Sequence, residues 1–141
     1  MSIADLERQG LIHKHRASPE DVQQTLRRAR DELAAARLLA EPHPASAYEL
    51  AYNAMLFAIS ALMYAAGYRA AAERHHATLV DFAEDRLGLF HLPLVNEFDT
   101  ARRKRHRTVY EQKPVSRKEA LHAVDIAEKL IAVVEKQVNA S

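Results

Sequence analysis

The sequence predicts an all-α fold, an up-and-down bundle of about five helices. Only 3 glycines and 5 prolines occur in 141 residues, so long uninterrupted helices are favoured. Apolar residues recur at spacings of three and four in several segments, which is typical of helices that pack one side inward. No segment shows the strict alternation of a strand, and no strand is predicted. We expect one domain over residues 1–141, with residues 1–17 as an N-terminal arm or short helix.

Composition excludes several classes of protein. The chain has a formal net charge of +1, so its surface as a whole does not indicate nucleic-acid binding; only the basic run 102–107 does. It contains no cysteine, which excludes disulfides, thiolate chemistry and cysteine zinc sites. The first ten residues include no apolar signal region, so we expect a cytoplasmic protein.

The first two predicted helices are separated by a basic connector. Residues 3–9 are predicted as a short helix that ends at Gly10, and residues 11–16 form the connector. Ser18 as N-cap and Pro19 at the first helical position indicate the start of the next helix. The inward stripe of that helix is predicted to comprise Val22, Leu26, Ala29, Leu33, Ala36 and Ala40.

The central segment, residues 45–66, is apolar nearly all round and ends at Gly67. Its continuous apolar run is about 17 residues long, at the lower limit for spanning a bilayer. Tyrosines occur throughout the segment rather than only at its ends. We therefore interpret it as a central helix that the other helices bury, and we expect no membrane association.

A loop over residues 68–73 is predicted to lead into a helix that ends at Gly88. His75 and His76 at its start point about 100° apart on a helix, so they are poorly placed to share a metal ion, and no metal site is expected. The final helix is predicted to begin at the capping box 116–119.

Between these two helices, residues 91–111 are predicted to form the helix of greatest functional interest. Pro93 suits its first turn, because a missing N–H has no partner to lose there. The residues predicted on its apolar side are Leu94, Val95, Phe98 and Val109. Those predicted on the opposite, solvent side are Glu97, Thr100, Lys104, Arg107 and Glu111.

Arg102 and Arg105 share the apolar side of this helix. The polar residues along its edge are Asp99, His106 and Tyr110. Charge on an inward face is costly unless it is paired or held for a ligand. One interpretation is an internal ion pair of Asp99 with Arg102 or Arg103 at helical spacing. The other is a cleft lined by guanidinium, imidazole and phenol groups, which suits phosphate and a base.

Segment 101–110 resembles the signature helix of HEPN domains, the higher-eukaryote and prokaryote nucleotide-binding family. Segments 52–58 and 67–78 resemble the central helix and following loop of small bacterial members, and residues 10–14 fit their N-terminal segment. The resemblance implies a helical bundle, usually a dimer with the signature helices near its cleft. Many members cut RNA without metal, whereas others bind nucleotides or assist a partner nucleotidyltransferase, often in toxin–antitoxin pairs.

The ribonuclease motif of the family is incomplete in this chain. It consists of an arginine, a polar residue and then a histidine four to six residues beyond the arginine. In this chain Arg105 corresponds to the arginine and His106 to the polar residue, and the histidine is expected near residues 110–112. Residues 110–112 are Tyr, Glu and Gln, so the expected histidine is absent. A tyrosine two residues beyond the histidine, modified in some toxin members, corresponds to Gln112. Arg69 stands at the same spacing from the histidines at 75 and 76, a match we interpret as chance.

These observations favour a non-nuclease HEPN-like protein that binds a nucleotide or a partner, such as a nucleotidyltransferase or a toxin–antitoxin partner, without a cofactor. The expected binding residues are Asp99, Arg102, Arg105, His106 and Tyr110. One alternative is a metal-independent ribonuclease with Arg105 as phosphate clamp and His106 as base. Others are a structural helical dimer or a basic module that binds nucleic acid without cutting it. We expect a homodimer, since a polar inward face is easier to accommodate at a wet subunit cleft.

Overall fold

The computed structural model describes residues 1–140 and has the predicted all-α architecture. Its helices are α1 (Ile3–Arg8), α2 (Pro19–Leu39), α3 (Pro44–Ala65), α4 (His75–Leu87), α5 (Leu92–Tyr110) and α6 (Arg117–Asn139). A 3₁₀ turn, Leu89–His91, joins α4 to α5, and two short strands, β1 (Ile12–Lys14) and β2 (Tyr68–Ala70), pair with each other. Thus five long helices form the bundle, and α1 is the predicted short helix of the N-terminal arm.

Helix α3 occupies the centre of the bundle, as its all-round apolar sequence predicts. It packs mainly against α2 and α6 and also contacts α4 and α5. Tyr52, Met55 and Ile59 on α3 are fully buried. Within residues 1–140, no helix is both long enough and apolar enough to cross a membrane.

The predicted helix starts at Ser18 and Ser116 are confirmed. The backbone N–H of Asp21 donates to the Ser18 hydroxyl at 3.0 Å, and that of Glu119 donates to the Ser116 hydroxyl at 3.1 Å. In both cases the carboxylate side chain in turn accepts from the backbone N–H of the serine, which completes a capping box. Polar side chains therefore fix where α2 and α6 begin.

The prediction that the chain contains no strand is wrong. β1 and β2 pair antiparallel, with Ile12 opposite Ala70. Ile12 is fully buried, while the backbone N–H of His15 donates to the Gly67 carbonyl at 2.8 Å and extends the contact between the two segments. Strands of three residues are too short to show alternation, and their pairing depends on tertiary contact. The ladder ties the N-terminal arm to the loop that leads into α4.

The orientation of α5 differs in part from the prediction. Lys104, expected to face solvent, has a side chain only 19% exposed and forms an ion pair of 2.6 Å with Glu119 of α6. Val109, expected to face the core, is 40% exposed. Because α5 packs against α6 as well as α3, the side that carries Ala101 and Lys104 is covered too. The last buried residue of α5 is Ala101, so the C-terminal half of the helix lies outside the core.

Candidate functional site

Three helices bring a group of polar side chains together beside Phe98. We call this group the arginine cluster, and its members are Glu49, Tyr52, His76, Asp99, Arg102 and Arg105. Tyr52 of α3 is fully buried, and its ring lies 6.0 Å from that of Phe98. The Tyr52 hydroxyl shares a hydrogen bond of 3.1 Å with Nδ1 of His76 in the first turn of α4. The cluster is therefore anchored in the core at one end and carries its charge near the surface.

Arg105 has few partners for its five N–H donors. One guanidinium nitrogen lies 3.4 Å from a carboxylate oxygen of Glu49, at the long limit of a hydrogen bond. Its Nε is buried and donates to no acceptor among residues 1–140. The Arg105 side chain is 25% exposed, so part of the guanidinium still reaches the surface. A guanidinium that has an unsatisfied donor, and whose outer nitrogens reach solvent, is suited to an incoming anion.

Arg102 is paired within its own helix, as the ion-pair interpretation of the sequence predicts. Its Nε donates to Asp99 at 2.9 Å, and Arg103 donates to the other oxygen of the same carboxylate. Burial alone would raise the pKa of Asp99. Hydrogen bonds from the two arginines, together with their positive charge, instead hold that pKa below its usual value. One carboxylate thus serves two guanidinium groups, which leaves positive charge in excess.

The positive charge of the arginines affects the pKa values of the two neutral members of the cluster, His76 and Tyr52. Burial lowers the pKa of His76, and the positive charges of Arg105, His75 and Arg102 lower it further. Burial raises the pKa of Tyr52, although the charges of the same two arginines oppose the rise. At neutral pH the cluster therefore combines guanidinium groups with an uncharged imidazole and a protonated phenol.

His106 and Tyr110 do not join this group. Both are exposed in the last two turns of α5, where their rings lie 4.6 Å apart. Tyr110 is 69% exposed, and neither side chain forms a hydrogen bond or ion pair with the part of the chain that the structure describes. Of the five residues expected to bind a ligand, the structure brings together Asp99, Arg102 and Arg105.

Sequence reasoning missed Glu49, Tyr52 and His76 as members of the site. Glu49 lies 56 positions before Arg105, and Tyr52 lies 24 positions before His76, so no local spacing joins them. For Tyr52 and His76 the only signal was the resemblance of segments 52–58 and 67–78 to the central helix and following loop of a known family, and Glu49 lies outside both segments. Arg69, which stands at motif spacing from His76, is exposed on β2 opposite His13.

The chemistry of the cluster favours binding of an anion. Guanidinium groups donate in a planar fork that matches phosphate oxygens. The imidazole of His76 adds a neutral hydrogen-bonding group of the kind that contacts a sugar or base, and the buried phenol of Tyr52 holds it in place. Across residues 1–140 no group of three or more histidine or acidic side chains is arranged to hold a metal ion.

A family model for the HEPN domain matches residues 22–137 of the chain. No curated protein and no solved structure gives a significant match. The matched region runs from the first turn of α2 to the last turn of α6 and contains the whole arginine cluster.

Proposed function

The chain belongs to the HEPN family, and we propose that the protein binds a nucleotide through the arginine cluster and does not cut RNA. The observation that carries the proposal is the Nε of Arg105, a buried cationic donor that no acceptor in residues 1–140 satisfies. A buried polar group left without a partner costs roughly 1–3 kcal/mol. A phosphate that draws the partly exposed guanidinium outward would remove that cost and bring a compensating charge.

The charges around Arg105 support a negative ligand. Asp99 is shared between Arg102 and Arg103, and Glu49 meets Arg105 only at 3.4 Å. Glu49 is itself 47% exposed, so it could turn toward solvent when a phosphate enters. The phosphate would then exchange one long contact for shorter charge-assisted hydrogen bonds.

The neutral side chains of the cluster support a nucleotide over a simple phosphate ion. His76 is held by Tyr52 through Nδ1, which leaves its other ring nitrogen for a ligand. An uncharged imidazole can either donate to or accept from a sugar hydroxyl or a base edge. This arrangement gives the site one charged end and one neutral hydrogen-bonding end.

Binding measurements with AMP and ATP test the proposal. Arg105→Ala should weaken nucleotide binding by tenfold or more, since a hydrogen bond to a charged group is worth roughly 1.5–3 kcal/mol. Arg107→Ala is the matched control, because Arg107 lies on the same helix, is exposed, and forms no ion pair within residues 1–140. Equal binding by both variants, or no binding of either nucleotide to the wild type, would contradict the proposal.

The absence of RNA cleavage is tested separately. A positioned acid or base contributes about 10²–10⁴-fold to a rate. The histidine of the ribonuclease motif is replaced in this chain around Tyr110. We expect purified protein to leave single-stranded RNA intact. RNA cutting that is lost in His106→Ala or His76→Ala would promote the ribonuclease alternative.

A protein partner at the end of α5 is the second candidate function. It is supported by the exposure of Val109 and Tyr110, which are 40% and 69% exposed. We propose a nucleotidyltransferase, the partner that some HEPN proteins assist, as the class of protein that binds there. Coexpression with the product of the neighbouring gene and size-exclusion chromatography test this idea. Tyr110→Ser should release a bound partner, whereas co-elution unaffected by that change would exclude this surface.

A further inference from the structure

The corner between α4 and α5 displays two large apolar side chains. Gly88 ends α4 with a φ of 80°, and the 3₁₀ turn that follows holds Leu89 and Phe90 outward. Leu89 is 87% exposed and Phe90 is 89% exposed. The Phe90 ring meets the His91 ring edge to face at a centroid distance of 5.0 Å. Adjacent exposed apolar side chains of this size typically mark a contact surface.

Phe90 forms one wall of a groove of about 770 Å³ that runs along α6. We call it the corner groove, and its lining residues are Arg86, Phe90, His91, Ala132, Val133, Lys136, Gln137 and Ala140. Ala132 and Val133 give it an apolar floor. Its volume suits one or two large apolar side chains of a partner.

The edge of the corner groove is positive. Arg86 and Lys136 are exposed, and neither forms an ion pair with residues 1–140. Among residues 1–140, no acidic residue lines the groove. Most other basic side chains of the bundle helices have carboxylate partners, for example Arg30 with Glu135 at 2.7 Å. An apolar floor between two unpaired cations is complementary to an apolar segment that carries carboxylates.

We propose that the corner groove binds an acidic segment of a partner protein, with a large apolar side chain against Phe90 and Val133 and carboxylates beside Arg86 and Lys136. A second copy of this chain fits poorly, because a two-fold contact through the same surface would place like cations opposite each other. Phe90 is 89% exposed. An aromatic side chain at the centre of a protein interface accounts for that exposure.

The corner groove is distinct from the arginine cluster. Residues Leu92 and Arg105 are separated along α5 by roughly 20 Å at 1.5 Å per residue. Each site can therefore be altered without removing a side chain of the other, and loss of nucleotide binding would not affect the test of the groove.

An array of 12-residue peptides tests the proposal. Each peptide carries two large apolar residues and two glutamates at varied spacing, with matched peptides in which lysine replaces the glutamates or serine replaces the apolar residues. The best acidic peptide is then measured in solution by fluorescence anisotropy. Phe90→Ser and Lys136→Glu should each weaken its binding at least tenfold. Leu38→Ser and Lys118→Glu, exposed positions on α2 and α6, serve as controls and should leave it unchanged.

Three kinds of outcome would overturn the proposal. One is an array without preference for glutamate over lysine, or binding that Phe90→Ser leaves intact. Another is self-association of the wild type that Phe90→Ser abolishes, which would assign the groove to a second copy. The third is stronger binding to vesicles of phosphatidylserine and phosphatidylcholine than to any peptide, which would assign it to a lipid surface.

Discussion

Arg105 has more hydrogen-bonding capacity than the folded chain uses, and this predicts a small effect on stability when it is removed. Its contact with Glu49 is long, and Glu49 is 47% exposed, so deletion of the arginine leaves no buried carboxylate unpaired. Ion pairs of this kind contribute about 0–1 kcal/mol. We expect Arg105→Ala to change the melting temperature by no more than about 3 °C.

Arg107→Ala is the reference variant for that measurement. Lys104→Ala, although it is on the same helix, is unsuitable as a reference. Lys104 is mostly buried and joined to Glu119 at 2.6 Å, so its removal has its own cost. A fall of about ten degrees for Arg105→Ala alone would mean that the guanidinium is a structural group. The cluster would then be part of the scaffold rather than a binding site.

The pairing of Arg102 could be predicted from sequence, whereas that of Arg105 could not. Arg102 and Asp99 lie three residues apart on one helix, so their contact depends only on helical geometry. Glu49 reaches Arg105 from another helix, and this contact depends on how α3 and α5 cross. The burial of Lys104 could not be predicted for the same reason, since its partner Glu119 lies on another helix, α6.

The lowered pKa of His76 should make the free energy of unfolding decrease at acidic pH. Its pKa in the folded protein is lowered, whereas an unfolded histidine titrates near about 6.5. Between the two pKa values the unfolded chain binds more protons, so the free energy of unfolding should fall as pH decreases below about 6.5. Asp99 also stabilises the folded protein through its lowered pKa, but a carboxylate loses this contribution to stability only at more acidic pH.

Urea unfolding at about pH 7.5 and pH 5.5 would measure this effect. His76→Gln should lose less stability between these two conditions than the wild type does, while it keeps a hydrogen-bonding partner for Tyr52. His106→Gln, which changes an exposed histidine, should behave like the wild type. The assignment to His76 would be wrong if both variants and the wild type showed the same pH dependence.

The cap of α6 gives a prediction that links local sequence to packing. The Ser116 hydroxyl accepts from the backbone N–H of Glu119, whose side chain also pairs with Lys104 of α5. The hydrogen bond from Lys104 lowers the pKa of Glu119, so the carboxylate stays charged at the helix N-terminus. Loss of a serine cap costs about 1 kcal/mol.

Ser116→Ala should therefore lower the melting temperature by roughly 4 °C. Ser46→Ala is the matched control, because Ser46 is exposed in the first turn of α3 and does not cap it. Alanine is also the better helix former, so the control should be neutral or slightly stabilising. Equal changes in the two variants would show that the capping box contributes little.

Helix starts could be predicted because a cap is a local arrangement of a few side chains. Ser18 and Ser116 mark α2 and α6 within their own sequences. The strands could not be predicted, because Ile12 and Ala70 pair across 58 positions and each strand has only three residues. The exposure of Val109 could not be predicted either. Periodicity identifies which side of a helix is apolar, but not where along the helix its packing partner ends.

The last turns of α5 bear on the predicted homodimer. Helix α5 has no buried residue after Ala101, yet it continues for more than two turns. Val109 and Tyr110 are exposed there, and the ring of Tyr110 lies against that of His106 in a tilted arrangement. Apolar and aromatic side chains beside an arginine-rich face are the composition typical of interface cores. A second copy on this surface would cover them and leave the arginine cluster at a wet subunit boundary.

Light scattering at about 20 μM should therefore give twice the chain mass of 15.9 kDa. Val109→Glu should shift the protein toward the monomer, because each two-fold contact would then bury two new carboxylates. Leu38→Glu, a charge introduced at a side chain 79% exposed on α2, is the control and should leave the dimer intact. A wild type of single-chain mass would contradict the homodimer. A dimer that loses its association in Leu38→Glu but not in Val109→Glu would place the interface on α2, away from the arginine cluster.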